Sequence, residues 1–271
     1  MCTVLDAHPD ISMSYELYPN LLELEEPVDL RSLAEKYRKC WMSRDIIRVS
    51  PNRRFATFVL RCERSGLNVT DVARLLDRLA DEGADLATLQ GRLRLIEMCG
   101  LEKMHRDGKS RWGMKCNNAF EEYLERWPNA CFLGMLRDGR DVLASQLNTG
   151  DFKKTPAEVA EGWVKTQRRF AALVENPNVH AYTVRYERLT QEPEAELRAV
   201  CNAIEVPFSE TMLRHNESKL TIFKASHLSR DRVVRSIDTK MIGRWKRDLS
   251  AEQLEEFVQN AGEDLKRFGY T

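Results

Sequence analysis

The chain has 271 residues, of which 42% are hydrophobic and 31% charged, so it can bury one sizeable core or two modest ones. Its 42 Lys and Arg residues are matched by 42 Asp and Glu residues, which excludes bulk charge as a reason to bind nucleic acid or an anionic membrane. Any anion-binding site must therefore be local.

No apolar run approaches the ~20 residues that a transmembrane helix needs, and the opening segment MCTVLDAHPD lacks the basic and apolar regions of a secretory signal. The sequence therefore predicts no transmembrane segment and a cytoplasmic location. The seven cysteines are scattered and contain no C-x-x-C pair. This pattern favours reduced, mostly buried thiols over a disulfide framework or a zinc site.

From about Leu30 to Leu101 the apolar spacing is helical, and no strand is indicated. The segment TDVARLLDRLADEG shows the pattern best. Thr70 is its predicted N-cap, four apolar residues form one stripe, and Gly83 is expected to end the helix. The stripe consists of Val72, Leu75, Leu76 and Leu79.

After Pro128 the pattern changes, because CFLGML and HAYTVRY are short apolar runs of strand length, each followed by a helical segment. Buried parallel strands with crossover helices have this pattern. No internal repeat or long linker divides the chain. We therefore predict an α/β fold in a single domain over residues 1–271, with a mainly helical insertion at residues 21–111 in the N-terminal half.

The segment CFLGMLRDGRDVLASQ joins the first of these strands to a helix. Arg137 lies where the strand ends, Gly139 permits a close turn, and Ser145 adds a hydroxyl donor in the helix. Ligands of parallel sheets bind at the carboxyl ends of strands, so this junction predicts a phosphate or sulfate site. The alternative is that Arg137 forms an ion pair with Asp138 or Asp141 on a solvated turn.

The spacing in RDGRDVLAS resembles the 3′-phosphate-binding element of sulfotransferases that use 3′-phosphoadenosine 5′-phosphosulfate (PAPS). Further segments resemble the same family in the same order: LDAHPDISMSYE, WGMK, ERWPNACFLGMLRDGRDV, VRYERLTQEPEAELRAVCNAIEVPF and IGRWKRDLS. The resemblance implies a P-loop-NTPase-like parallel sheet flanked by helices. It also implies transfer of a sulfuryl group from PAPS to a hydroxyl or amine, without a metal.

The resemblance assigns the cofactor's 3′-phosphate to Arg137 and Ser145. Lys240 and Arg235 fall where the family has a basic loop that reaches the same phosphate, although either could be a solvated surface charge. Tyr186 and Trp245 are expected to pack around the nucleotide end of the sheet.

For catalysis, the resemblance places Lys115 near the leaving phosphate or the sulfuryl oxygens, where charge develops during transfer. The alternative for Lys115 is a surface lysine at a helix start. Ser229 lies near a position where relatives have a serine close to the sulfuryl group. Glu16 matches the position of the family's glutamate base, which takes the acceptor's proton, while His8 is expected to be structural.

The family's P-R-S-G-T-T type of loop, which binds the 5′-phosphosulfate, is absent from the 271 residues. Either the sequence is truncated at its start or the chain is a degenerate relative of the family. We favour truncation and expect the chain as given to be nearly inactive. Two other functions remain open: a non-catalytic binding protein with this fold, and a P-loop phosphotransferase. The sequence specifies neither the acceptor nor the oligomeric state.

Overall fold

The computed structural model describes residues 1–116, 120–148, 154–217 and 235–271. These residues form two compact units, each made of two chain segments. The first unit contains Met1–Trp127 and Ser209–Ser236, and the second contains Pro128–Phe208 and Ile237–Thr271. The single domain and the insertion at 21–111 remain predictions.

The first unit contains two parallel strands, β1 (Ile11–Tyr15) and β2 (Arg111–Lys115), with Tyr15 directly opposite Lys115. Every residue of β1 is buried. The backbone N–H of Glu16 donates to the carbonyl oxygen of Lys115 at 3.1 Å and so extends the ladder by one residue. Side chains that follow β1 and β2 therefore meet at one edge of this sheet.

The helical pattern predicted between Leu30 and Leu101 is confirmed. In the described part of the first unit the α-helices are α1 (Cys2–Asp6), α2 (Leu30–Arg38), α3 (Ser43–Val49), α4 (Arg53–Arg64), α5 (Val69–Asp81), α6 (Leu89–Arg106) and α7 (Phe120–Arg126). Single turns of 3-10 helix occupy Pro19–Leu22, Glu210–Met212 and His215–Glu217. All four residues of the predicted apolar stripe on α5 are buried.

The N-cap of α5 is Asn68, so the prediction of Thr70 was wrong. The Asn68 side chain accepts from the N–H of Asp71 at 2.8 Å, and the Asp71 carboxylate accepts from the N–H of Asn68 at the same distance. This reciprocal arrangement requires an acidic residue three positions after the N-cap residue. Asp71 occupies that position relative to Asn68. Thr70 instead donates its hydroxyl to the Asn68 side chain at 2.5 Å.

Buried polar side chains fasten β1 to α6. Lys103 on α6 is only 1% exposed, and its ammonium donates to the hydroxyl of Ser12 at 3.1 Å and to Asp107. Ser12 in turn donates to Asp107 at 2.6 Å. Because each charged group has a partner, the network compensates for the desolvation of a buried ammonium.

The second unit contains the two strands that the sequence predicts, β3 (Phe132–Leu136) and β4 (Ala181–Arg185). They pair in parallel, with Leu136 opposite Arg185. The carboxyl end of β3 therefore lies beside the start of the helix that follows β4, which places Arg137 and Tyr186 at one edge.

The helices of the second unit are α8 (Gly139–Leu147), α9 (Pro156–Glu175), α10 (Tyr186–Gln191), α11 (Pro193–Ala203), α12 (Trp245–Asp248) and α13 (Ala251–Arg267). Thr155 caps α9 and shares a capping box with Glu158. The core that joins β3, α8, α9 and α13 is built from Leu136, Leu143, Val159, Ala160, Trp163, Phe257, Ala261, Leu265 and Tyr270. The predicted α/β class, with parallel strands flanked by helices, is confirmed. Over the described ranges, no helix is both long and apolar enough to cross a membrane.

Candidate functional site

Glu16 lies immediately after β1, where its φ of +53° places it in the left-handed region. A non-glycine residue in this region carries backbone strain of order 1–3 kcal/mol, and such strain clusters at functional sites. Its carboxylate accepts from the Lys115 ammonium at 2.5 Å and lies 3.3 Å from the guanidinium of Arg61. Glu16 and Lys115, predicted separately from the sequence, are therefore in direct contact.

Lys115 ends β2 and is not a surface lysine at a helix start. Burial lowers the pKa of its ammonium, but the hydrogen bond and the charge of Glu16 outweigh burial and leave the pKa raised. The ammonium also lies 4.7 Å above the centroid of the Tyr15 ring. Lys115 is thus a fully charged donor held in place by a carboxylate and an aromatic face.

Arg61 on α4 completes this cluster and was missed by the sequence reasoning. One of its Nη atoms donates to the carbonyl oxygen of Glu16 at 2.7 Å, while the other faces the Glu16 carboxylate. Its guanidinium carbon lies 5.0 Å over the ring of Tyr18. Arg61 stands 45 residues from Glu16 in a segment without a recognisable motif, so no signal in the sequence marks it.

Three polar atoms of the first unit are buried without a hydrogen-bond partner among the described residues: Arg61 Nε and the hydroxyls of Tyr18 and Tyr123. Burial raises the pKa of both phenols, so they stay protonated donors across the physiological range. Buried polar groups in proteins nearly always have a partner, whether protein, water or ligand. Two of these unused donors lie close to Glu16, on Arg61 and on Tyr18, whose ring Arg61 covers.

Arg137 occupies the carboxyl end of β3, as predicted. One Nη donates to the carbonyl oxygen of Met241 at 2.6 Å, and the guanidinium carbon stacks 4.3 Å from the Tyr186 ring centroid. Its Nε is buried and has no hydrogen-bond partner in the part of the chain that the structure describes. The stacked plane fixes the guanidinium fork, and the unused donor fits an anion oxygen.

The sequence offered Asp138 and Asp141 as alternative partners for Arg137, and only Asp141 lies near it. Arg137 forms an ion pair with the Asp141 carboxylate at 3.8 Å, as the alternative predicted, but this distance is too long for a hydrogen bond. Both Asp141 oxygens already accept backbone N–H groups, from Gly243 at 2.8 Å and from Trp245 at 3.0 Å. Asp138 pairs with Arg140 at 2.8 Å instead.

Gly139 begins α8, and its role is to permit close packing. A Cβ at this position would come within 2.7 Å of Phe257 and 2.9 Å of Trp163. Ser145 lies on the same helix, is half-buried, and stands one turn after Asp141. Residues four apart share a helix face, so Ser145 lies on the face of α8 that holds the loop containing Gly243.

Tyr186 and Trp245 are half-buried, and each carries an arginine on its ring. Tyr186 stacks with Arg137, whereas Trp245 stacks with Arg140, whose guanidinium carbon lies 4.2 Å from the ring centroid. Both aromatic rings thus order basic groups near the end of β3. Their contact with a nucleotide stays a prediction.

The remaining predicted residues are exposed, outside the described ranges or, for His8, buried. The Lys240 side chain is 81% exposed, and its nearest acidic group is Asp238 at 3.9 Å. Arg235 is also exposed. Ser229 lies outside the residues that the structure describes. His8 is buried, and its Nδ1 accepts from the N–H of Asp10 at 3.0 Å, which fits the structural role expected for it.

Across the described ranges, His, Cys, Asp and Glu side chains form no cluster of three or more that could hold a metal ion. The side chains at the carboxyl ends of the strands in both units are paired charges and hydrogen-bond donors. In the first unit the Glu16 carboxylate contacts two cations, Lys115 and Arg61. In the second unit the stacked Arg137 keeps a buried donor unused.

Residues 1–210 match the sulfotransferase family, and the chain belongs to it. A Caenorhabditis elegans sequence classed as a protein-tyrosine sulfotransferase is 30% identical over 139 residues, which are 47% of this chain and 52% of that protein. Protein-tyrosine sulfotransferase 2 of Gallus gallus is 25% identical over 160 residues, or 55% of this chain and 43% of that protein. The chain thus spans about half the length of these curated relatives.

Two solved structures share the fold over nearly the whole chain. The sulfotransferase domain from the curacin biosynthetic pathway has a TM-score of 0.56 at 14% identity and covers 99% of this chain and 92% of its own. The sulfotransferase domain from the Synechococcus PCC 7002 olefin synthase has a TM-score of 0.55 at 15% identity, with coverages of 97% and 95%.

Proposed function

We propose that the chain transfers a sulfuryl group from PAPS to a hydroxyl or amine acceptor. Membership of the sulfotransferase family supports this proposal. The observation that carries it is the contact between Glu16 and Lys115 at 2.5 Å, where β1 and β2 end. A carboxylate beside an ammonium supplies both a proton acceptor and a cation for developing negative charge.

In this proposal, the Glu16 carboxylate takes the proton of the attacking hydroxyl. Lys115 and Arg61 hold the carboxylate in one orientation, because each contacts a different oxygen. The backbone is fixed as well, since Arg61 also donates to the Glu16 carbonyl oxygen. A base that is held in place by its neighbours needs little reorganisation when it accepts a proton.

PAPS, when bound, supplies the activated sulfuryl group, and its 3′-phosphate is assigned to Arg137 and Ser145. The buried, unpartnered Nε of Arg137 fits a phosphate oxygen, and the ring of Tyr186 holds the guanidinium fork in place. Trp245 orders the neighbouring Arg140. Asp141 accepts two backbone N–H groups and only ion-pairs with Arg137 at 3.8 Å, so the Arg137 Nε keeps its hydrogen bond for an anion.

Other roles in the proposal rest on the family resemblance. Lys240 and Arg235, both exposed, would add positive charge near the 3′-phosphate. Ser229 would stand near the sulfuryl group. Lys115 would stabilise the charge that develops during transfer, with no metal taking part. The cytoplasmic location also remains a proposal.

The acceptor tested first should be a tyrosine-containing peptide, because two relatives are classed or named as protein-tyrosine sulfotransferases. The assay measures transfer of labelled sulfuryl groups from PAPS by the protein expressed from its complete gene, with small phenols, sugars and amines as further acceptors. We expect transfer that persists in the presence of EDTA.

Two outcomes of this assay would replace the proposal. Transfer of the γ-phosphate of ATP that requires magnesium would identify a phosphotransferase. Binding of adenosine 3′,5′-bisphosphate without transfer to any acceptor would favour a non-catalytic binding protein.

A further inference from the structure

The turn between α2 and α3 exposes large apolar side chains. Trp41 is 91% exposed, Met42 is 50% exposed, and Ile47 on α3 is 54% exposed. A tryptophan this exposed is unusual, because its ring is the largest apolar side chain and is mostly buried in folded proteins. The three residues lie within seven positions of one another and form a single protruding feature of the first unit.

The backbone that presents these side chains is well anchored. The N–H groups of Trp41 and Met42 both donate to the Asp45 carboxylate, at 3.3 and 3.1 Å. Ile46 is 1% exposed and fixes α3 to the rest of the unit. The exposure of Trp41 therefore belongs to an ordered turn.

Positive charge is concentrated around this turn. Residues 36–54 contain seven Lys or Arg residues and one Asp, a net charge of +6 in a chain whose overall net charge is zero. The single acidic residue, Asp45, faces the backbone N–H groups that it caps. On α3, Arg44 and Arg48 share the outward face with Ile47, because they are spaced three and four residues apart.

Some of these charges are neutralised locally and others are not. Arg38 pairs with Asp77, and Arg54 lies 3.3 Å from Glu23. Arg48 lies 3.7 Å from Asp45, beyond hydrogen-bond distance. Three other exposed cations have no ion pair with the described residues: Lys39, Arg44 and Arg53. The surface of the turn therefore carries positive charge that an anionic partner can contact.

We propose that this surface, the Trp41 patch (Trp41, Met42, Arg44, Ile47 and Arg48), docks the protein on an anionic lipid surface. Tryptophan favours the boundary between headgroups and hydrocarbon, where its ring is amphipathic. Exposed arginines beside it match the negative potential of anionic headgroups. The inference does not depend on the proposed sulfuryl transfer.

The shape of the patch favours lipid over a protein partner. The exposed Trp41 ring would need a pocket of matching shape on a protein partner. Lipid headgroups are mobile and can rearrange around the ring. The patch also has only three apolar side chains, whereas a stable protein interface uses about 20–30 residues on each side. Apolar tips surrounded by cations are the arrangement that interfacial membrane contacts use.

The test is cosedimentation of the purified chain with vesicles of phosphatidylcholine, with or without phosphatidylserine. We expect binding that requires phosphatidylserine and weakens as salt rises, because exposed charges are screened. Trp41→Ala should lower the partition coefficient about tenfold. The double variant Arg44→Glu/Arg48→Glu should lower it about 30-fold or more.

Two matched controls separate the patch from general effects. Lys165→Glu/Lys266→Glu changes net charge equally on exposed helix faces of the second unit, and Val258→Ala trims another partly exposed apolar residue. Both should bind vesicles like the parent. Equal binding to neutral vesicles, an unaffected Trp41→Ala variant or an equal loss in the charge control would each overturn the proposal. A dimer that Trp41→Ala dissociates would overturn it too, because a second copy would then cover the patch.

Discussion

The two parallel strand pairs both end in a basic residue, but the two cations are satisfied in different ways. Lys115 at the end of β2 contacts the Glu16 carboxylate at 2.5 Å. Arg137 at the end of β3 is 3.8 Å from Asp141, which already accepts two backbone N–H groups. One cation is therefore committed to a partner within the chain, and the other keeps a buried donor unused.

This difference indicates different tasks for the two strand ends. A hydrogen-bonded charge pair holds its members in place, which suits groups that act on a reacting atom. A cation with an unused buried donor bears a desolvation cost that an incoming anion relieves. We therefore assign chemistry to the Glu16 and Lys115 pair and anion binding to Arg137.

We expect the largest effect from a substitution that breaks the charge pair of Glu16 and Lys115. Glu16→Gln keeps the shape of the side chain but removes the proton acceptor, so turnover should fall about 10²- to 10⁴-fold. Affinity for adenosine 3′,5′-bisphosphate should stay near that of the parent. The comparison uses initial rates and calorimetry on the protein from its complete gene. A rate that Glu16→Gln leaves unchanged would remove Glu16 as the base.

The second effect concerns the carboxylate that keeps the loop at Gly243 in place. Asp141→Ala removes the acceptor of two backbone N–H groups. Because Asp141 is 1% exposed, water cannot readily replace it, and the free energy of unfolding should fall by about 1.5 to 3 kcal/mol. Urea denaturation measures the change, with the exposed and locally paired Glu194→Ala as the control. Equal stability of the two variants would contradict this role.

A smaller effect is expected at the hydroxyl on α8. Ser145→Ala removes one donor toward the 3′-phosphate, so affinity for adenosine 3′,5′-bisphosphate should fall roughly tenfold. Ser145→Thr keeps the hydroxyl and should retain most of the affinity. Titration calorimetry distinguishes the two variants, and equal losses in both would point to packing as the cause.

The smallest expected effect is a change in the pKa of Lys115. Glu16→Gln removes the charge that raises the Lys115 pKa, while burial, which lowers it, stays. The pKa should therefore fall, as followed by NMR of labelled lysine side chains. In the parent the raised pKa stabilises the folded state fully below the ordinary value of 10.5, and this contribution disappears as pH rises through the folded-state pKa. An unchanged Lys115 pKa would contradict the coupling.

The strands of the second unit were predictable because β3 and β4 are short apolar runs. The strands of the first unit were not, since β1 contains Ser12 and β2 begins and ends with a charged residue. Ser12 is buried there only because Lys103 and Asp107 bond to it, and such distant partners leave no local pattern.

The residues of the candidate site also divide into those that the sequence could predict and those that depend on distant contacts. The resemblance brought Glu16, Lys115 and Arg137 to attention because each stands in a recognisable motif. Arg61 has no motif, and only the packing of α4 against β1 brings it to Glu16. Likewise, spacing could offer two acidic neighbours for Arg137 but could not show that Asp141 is occupied by a distant loop.

In the proposed function Arg137 donates hydrogen bonds to the 3′-phosphate, and a calorimetric cycle can show whether it does. Adenosine 3′,5′-bisphosphate and adenosine 5′-monophosphate are each titrated into the parent and into Arg137→Ala. We expect the parent to prefer the bisphosphate by about 10- to 150-fold, and the variant to lose this preference with little change in affinity for the monophosphate. A variant that kept the full preference would contradict the assignment.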